Sequence, residues 1–360
     1  MGGALVADGN TVLIEGASDS FFKHFRDMES GRGTPWAERS DTYMYLAQMR
    51  IAGWDVDYGD LIVIAGYATS FAYAPRPDDR WMAHYFPVEG RDDRIAHATG
   101  YRNVWRQYPD VEDYWNALKR EIDSGRAVHA PNEEDVLFIG YREADEPENR
   151  GVMPVAIVFV DEDEWNWEKF VNWHSRDMVS GWFGCMESRV EPWPPRKSAV
   201  EVLDVMARVA RGDDPHRRPG DGVVWGIDGV EAYAADLADL SKSGASEDRD
   251  GFFQGGWRGC HNVICQMSGR PAAAAYLRKA SGLFDGDART QLKECADCYE
   301  EATRAWSEFD RQLGRALKDM PHDDAWEDEE QRITGADAVK EASGWERRAL
   351  AALELALAIS

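Results

Sequence analysis

The sequence predicts an α+β protein in two parts, and three observations predict it. Ahead of residue 195, short runs rich in β-branched and aromatic residues alternate with helix-length segments, bounded by Gly, Pro, Asp or Asn. Behind it, nearly every apolar residue recurs at steps of three and four, the helical period. Between the two stands EPWPPR, residues 191–196, a proline-rich break. The reading is an α+β domain over 1–195 followed by an all-helical domain over 196–360. A length of 360 residues fits two domains at roughly 150 residues each.

In chain order, Thr11–Glu15 (TVLIE), Leu61–Ala65 (LIVIA), Ala127–His129, Val136–Tyr141 (VLFIGY) and Val155–Val160 (VAIVFV) read as strands. Ser40–Ile51 reads as a helix capped by Ser40 or Asp41, and Val111–Ser124 as one stopped by Gly125. Past the break, Val202, Met206 and Val209 form one helical stripe, and Val230, Tyr233, Leu237 and Leu240 another. The longest runs through Leu292, Cys295, Tyr299, Ala302, Trp306, Phe309, Leu313, Leu317 and Met320, a helix of about 30 residues ended by Pro321. A last helix is expected from about Ala336 to Ala358, burying Val339, Ala342, Ala349, Leu350, Leu353 and Leu357. Segments 211–221 and 242–257 read as loops.

Composition excludes several functions. There are 66 acidic against 41 basic side chains, a formal charge of −25, which disfavours nucleic acid and anionic membranes as partners. The longest apolar runs are far short of a membrane span. Five Cys in a long chain fit a reducing compartment, and Met1–Asn10 carries no secretory signal, so the expected location is cytoplasmic. No phosphate-binding glycine loop, GxSxG elbow or HExxH appears, and no cofactor is implied.

The order of pieces nevertheless resembles a known family. A helix opening near residue 40 leads to YGDLIVIAGYATSFAY (58–73), a helix ending EIDSGRAVHA (121–130), the strand EEDVLFIGYREAD (133–145) and a helical half carrying GVEAYAADL (229–237). This is similar to proteins related to the N-terminal region of the butirosin-biosynthesis H acyltransferase. Those resemble papain-like peptidases that process double-glycine leader peptides. The resemblance implies a papain-like N-terminal domain with a catalytic Cys at the start of the first long helix and a His at the start of the DVLFIGY strand. Here the helix opens Ser40-Asp41-Thr42, no Cys precedes Cys185, and the His position falls in Glu133-Glu134-Asp135. A Thr or Ser hydroxyl needs a strong base beside it to replace a thiolate.

Two functions follow from that comparison. The first is a non-peptidase that keeps the cleft to bind a small molecule, a peptide or a carrier-bound acyl group, with Ser40, Tyr141 and Glu346 as ligand-binding candidates. The second is a hydrolase or acyltransferase with Thr42, Glu134 and His129 as catalytic candidates. A helix cap at 40–42, a solvated acidic turn at 133–135 and a hydrogen-bonded structural His129 are the plainer readings of the same residues. A homo-oligomer built on the long helices fits the stripes but leaves the N-terminal half unexplained.

Other constellations read as structure. Cys295 and Cys298, with Cys260, His261 and Cys265, have zinc-like spacing, but the pair sits in the most regular helix and reads as core, so no metal is expected. The acidic run 161–164 fits a helix start better than a calcium loop. Trp165, Trp167, Trp173 and Trp182 either wall a pocket or seal a junction. Glu346 is the one charge on the apolar face of the last helix, which calls for an Arg partner such as Arg304 or Arg311, or else marks a buried functional carboxylate.

Overall fold

The structure, a computed structural model, describes residues 4–18, 40–54, 56–73, 88–130, 136–156, 165–174, 182–213, 222–241, 266–313 and 328–360. In chain order its elements are β1 (Leu5–Asp8), β2 (Thr11–Ile14), α1 (Ser40–Ile51), α2 (Tyr58–Ala65), β3 (Ala72–Tyr73), α3 (Arg91–Thr99), β4 (Tyr101–Gln107) and α4 (Val111–Asp123). There follow β5 (Val128–Ala130), β6 (Val136–Arg142), β7 (Gly151–Ala156), β8 (Trp165–Asn166), α5 (Trp167–His174) and β9 (Trp182–Arg189). Then come α6 (Pro195–Arg211), β10 (Val224–Trp225), α7 (Gly226–Ala238), α8 (Arg270–Ser281), α9 (Gly286–Leu313) and α10 (Glu329–Ala358). The class is α+β. No helix among the described residues is long and apolar enough to cross a membrane.

These elements form two compact units, 1–61 with 95–192, and 62–94 with 193–360. One crossing, at 192/193, falls beside the proline-rich break; the other two lie inside α2 and α3, where composition carries no boundary signal. The first unit holds an eight-stranded sheet of order β1-β2-β6-β5-β9-β4, with β7 on β6 and β8 on β7. Its pairings are antiparallel. Strand β6 is central: Val136–Phe138 pair with β5, Gly140–Arg142 with β2, and β7 runs along its other edge. Residues 136–141 are all buried, which is why VLFIGY is apolar throughout instead of alternating. Helix α1 is tied to the start of β5 by Gln48, whose Nε2 donates to the Ala127 carbonyl at 3.0 Å.

Among its described residues, the regular elements of the second unit are helices apart from the short pair β3–β10. Helix α6 starts on Pro195 and ends on Gly212, in the left-handed conformation at φ 83°. One core cluster joins Phe71 to Val230, Tyr233, Leu237, Trp306, Phe309, Val339 and Ala342, and all but Phe71 come from the stripes expected of α7, α9 and α10. Helix α9 is described to Leu313; Pro321 lies outside the described residues.

Two expectations are corrected. Leu61–Ala65 is not a strand but the second half of α2. It is buried all round, so a continuous apolar run did not separate strand from buried helix; Asp57, whose carboxylate accepts from the Asp60 amide at 3.0 Å, is the cap that marks the helix. The last helix begins at Glu329, well before Ala336, because Asp328 accepts from the Glu330 and Gln331 amides.

Candidate functional site

In the first unit, the residues expected to do chemistry are held in packing. Thr42 lies in the first turn of α1 with none of its surface exposed. His129, in the middle of β5, is 1% exposed and sits between the Tyr45 and Trp105 rings, at 6.3 and 4.9 Å between centroids. Both rings present edge-to-face contacts, so the imidazole packs as an aromatic among aromatics. The Tyr141 hydroxyl donates to Asp123 Oδ1 at 2.6 Å. Burial first, then that hydrogen bond, push the phenol pKa well above its usual value, so it stays protonated at neutral pH. Ser40 opens α1, but its side chain, like Glu134 and the 133–135 turn, lies outside the described residues.

The tryptophans close on themselves. Trp165 meets Phe138 and Trp173, Trp167 meets Trp115 and Phe170, and Trp173 also meets Tyr114, Phe138 and Phe170, all at 5.6–6.4 Å. All of these partners belong to the first unit, where Trp173 is buried in the core and Trp165 and Trp167 pack half-buried against it. The Trp182 side chain and the acidic run 161–164 lie outside the described residues. His174 donates from Nε2 to the Tyr108 carbonyl at 2.8 Å, a tautomer assigned because a carbonyl only accepts.

The second unit contains the most completely buried polar centre described. Glu346, 1% exposed on α10, is paired with Arg270, 0% exposed at the start of α8. Arg270 Nε and Nη2 donate to the two carboxylate oxygens at 2.9 and 3.0 Å, and Trp306 Nε1 adds a third donor to Oε1 at 2.8 Å. Arg270 Nη1 reaches the carbonyls of Gln266 and Ser70 at 2.8 and 3.0 Å, and that of Ala68 at 3.4 Å. Gly269 permits this approach, because a Cβ there would stand 2.7 Å from the Ala68 Cα. The partner is thus neither Arg304, which pairs with Glu301, nor Arg311, which pairs with Glu308; both sit on an exposed face of α9. With three donors on its carboxylate and 1% exposure, Glu346 is a structural acceptor closed off from any substrate.

No protein-family model matches the chain, and no curated protein matches it in sequence. Chemistry alone therefore ranks the candidates. Among the described residues no cluster of three or more His, Cys, Asp or Glu is arranged to hold a metal. Cys295 and Cys298 are buried in α9 as free thiols, and burial raises the pKa of each; Cys260, His261 and Cys265 lie outside the described residues. Arg270 escaped the sequence reading although it left a signal. A cation in the first turn of a helix opposes the helix dipole, so Arg270 before Pro271 implies a carboxylate partner elsewhere.

Proposed function

We propose that the chain is a non-catalytic binding protein whose first unit follows a papain-like plan. On this reading it takes a small molecule, a peptide or a carrier-bound acyl group beside the start of α1, in the cytoplasm. The observation that carries the non-catalytic part is the burial of Thr42 at 0% and His129 at 1%, where a hydrolase needs both groups open to substrate. An antiparallel sheet with α1 fastened to β5 supports the papain-like part. The binding part rests on the resemblance in order and spacing.

The test compares wild type with Thr42→Ala on a panel of esters, amides and acyl thioesters. Both proteins are expected to fold and to show no turnover. Turnover by wild type that disappears in Thr42→Ala would sink the non-catalytic reading in favour of a hydrolase or acyltransferase. Binding is read separately by equilibrium dialysis against short peptides and non-hydrolysable acyl-pantetheine thioethers. Saturable uptake of one class is expected, and uptake of none overturns the choice of ligands.

A further inference from the structure

The outward face of α10 is not composed as a face that meets water. Counting from Gly344, Asp337 and Ala351 lie seven residues away on either side, and Ile333 and Leu355 eleven. At 3.6 residues per turn, steps of seven and eleven return to nearly the same line, so these five positions form one strip along the helix. All five are exposed, Ile333 by 38% and Leu355 by 57%. A solvent-facing line is ordinarily polar, whereas here only Asp337 is. Gly344 is the telling position. Glycine inside a helix is destabilising relative to alanine, yet a Cβ here would meet nothing within 4 Å in the chain. The fold itself gives no reason for it; a second backbone crossing at this point does, because a residue without Cβ lets two helices approach closely.

The charges along this strip have no partners inside the chain. Among the described residues, Asp337, Lys340, Glu341 and Arg348 make no ion pair. Arg348 lies over the Trp345 ring at 4.6 Å instead. Asp337 and Glu341 stand one turn apart with like charge, which is unfavourable within a single helix. Glu341 and Arg348, seven residues apart, share one flank of the strip, and Lys340 lies on the other. The four charges cancel, so the strip is neutral in a chain of net charge −25 that otherwise repels its own copies.

We propose that this strip is the interface of a symmetric dimer, in which α10 packs antiparallel against α10 of a second copy of the chain and crosses it at Gly344. A two-fold axis there sets Ile333 against Leu355 of the partner subunit, and the reverse, at the two ends. It keeps like flanks together, so Arg348 comes within one residue's rise of the partner's Glu341, and the symmetry makes this contact twice. The partner's Asp337 lies less than one turn further on, so one guanidinium relieves both carboxylates. Lys340 comes opposite the partner's Arg347; in each copy Arg347 donates to Glu231 at 2.6 Å and to Asp228 at 2.8 Å, a group that is net negative. From Ile333 to Leu355 the strip is about 33 Å long and one helix wide. That is less than the roughly 800 Å² per partner of a standard interface, so a dissociation constant in the micromolar range is expected. All residues of the strip belong to the second unit, and the dimer does not depend on the function assigned to the first.

The test is sedimentation velocity on the full chain from about 1 to about 200 µM, in about 0.15 M NaCl to screen the general repulsion between acidic copies. Wild type is expected to pass from monomer to dimer across this range. Gly344→Gln is expected to raise the dissociation constant by about ten-fold or more, while melting no lower than wild type at the lowest concentration, where monomers prevail. Arg348→Glu and Glu341→Arg are each expected to weaken the dimer by a similar factor. The double variant Arg348→Glu, Glu341→Arg is expected to recover most of the loss, because the exchange preserves both pairs between subunits. A monomer throughout, a dimer untouched by Gly344→Gln, or a double variant no tighter than its single parents overturns the assignment.

Discussion

Glu346 shows how one residue organises its surroundings. A carboxyl group in the apolar middle of α10 is tolerated because Arg270 and Trp306 together supply three hydrogen bonds. The same Arg270 holds the carbonyls of Ser70 and Gln266, so one charge pair orders segments far apart in sequence. Glu346→Ala leaves Arg270 buried without its counter-ion and is expected to cost about 3–5 kcal/mol in urea unfolding. The double variant Arg270→Met, Glu346→Leu should lose clearly less than the sum of the two single changes, because it removes both charges at once. Additive losses would show that the two side chains do not act as a pair.

At the scale of elements, caps decide where helices begin more than periodicity does. Asp110 accepts from the Glu112 and Asp113 amides at 2.8 and 3.1 Å and starts α4. Beyond it, Tyr114, Trp115, Leu118, Glu121 and Ile122 turn inward, and Glu121 is paired with Arg126. Asp110→Ala is expected to cost about 1 kcal/mol in chemical unfolding and to raise amide exchange in the first turn of α4. Asp328 and Asp57 do the same work for α10 and α2. Both caps are visible in the sequence, and weighing them there would have lengthened the last helix and turned Leu61–Ala65 from strand to helix. Periodicity alone erred at α2 because a helix buried on every side has no polar face to report its period.

For the whole molecule, the buried phenols and thiols set an alkaline limit. Burial pushes the pKa values of Tyr73, Tyr114, Tyr141, Tyr299 and Cys295 well above their ordinary values. A group whose folded pKa is raised holds its proton longer when folded, so its stabilisation is complete below the unfolded value and is lost as pH rises. The window therefore opens near pH 9 for the thiol and near pH 10 for the phenols. Arg94, lowered to about 10, acts in the opposite sense but is one group against several. Urea midpoints are expected to hold between pH 7 and 8.5 and to fall steadily above pH 10. Tyrosinate absorbance should appear together with unfolding, and appearing well before it would contradict the burial of these rings.

What the sequence determined by itself was the α+β class. Strand-length runs before the break, helical stripes after it, the cores those stripes build and the acidic balance are all local patterns, written by spacing and composition. Tertiary structure decided the rest, for a physical reason in each case. His129 became a packed ring because Tyr45 and Trp105 come from other elements. Glu346 found Arg270 instead of Arg304 or Arg311 because only a helix start buried beside α10 could share its dry surroundings. Charges are chosen locally, but whether a charge is paired, crowded or left over depends on which distant elements the core brings beside it.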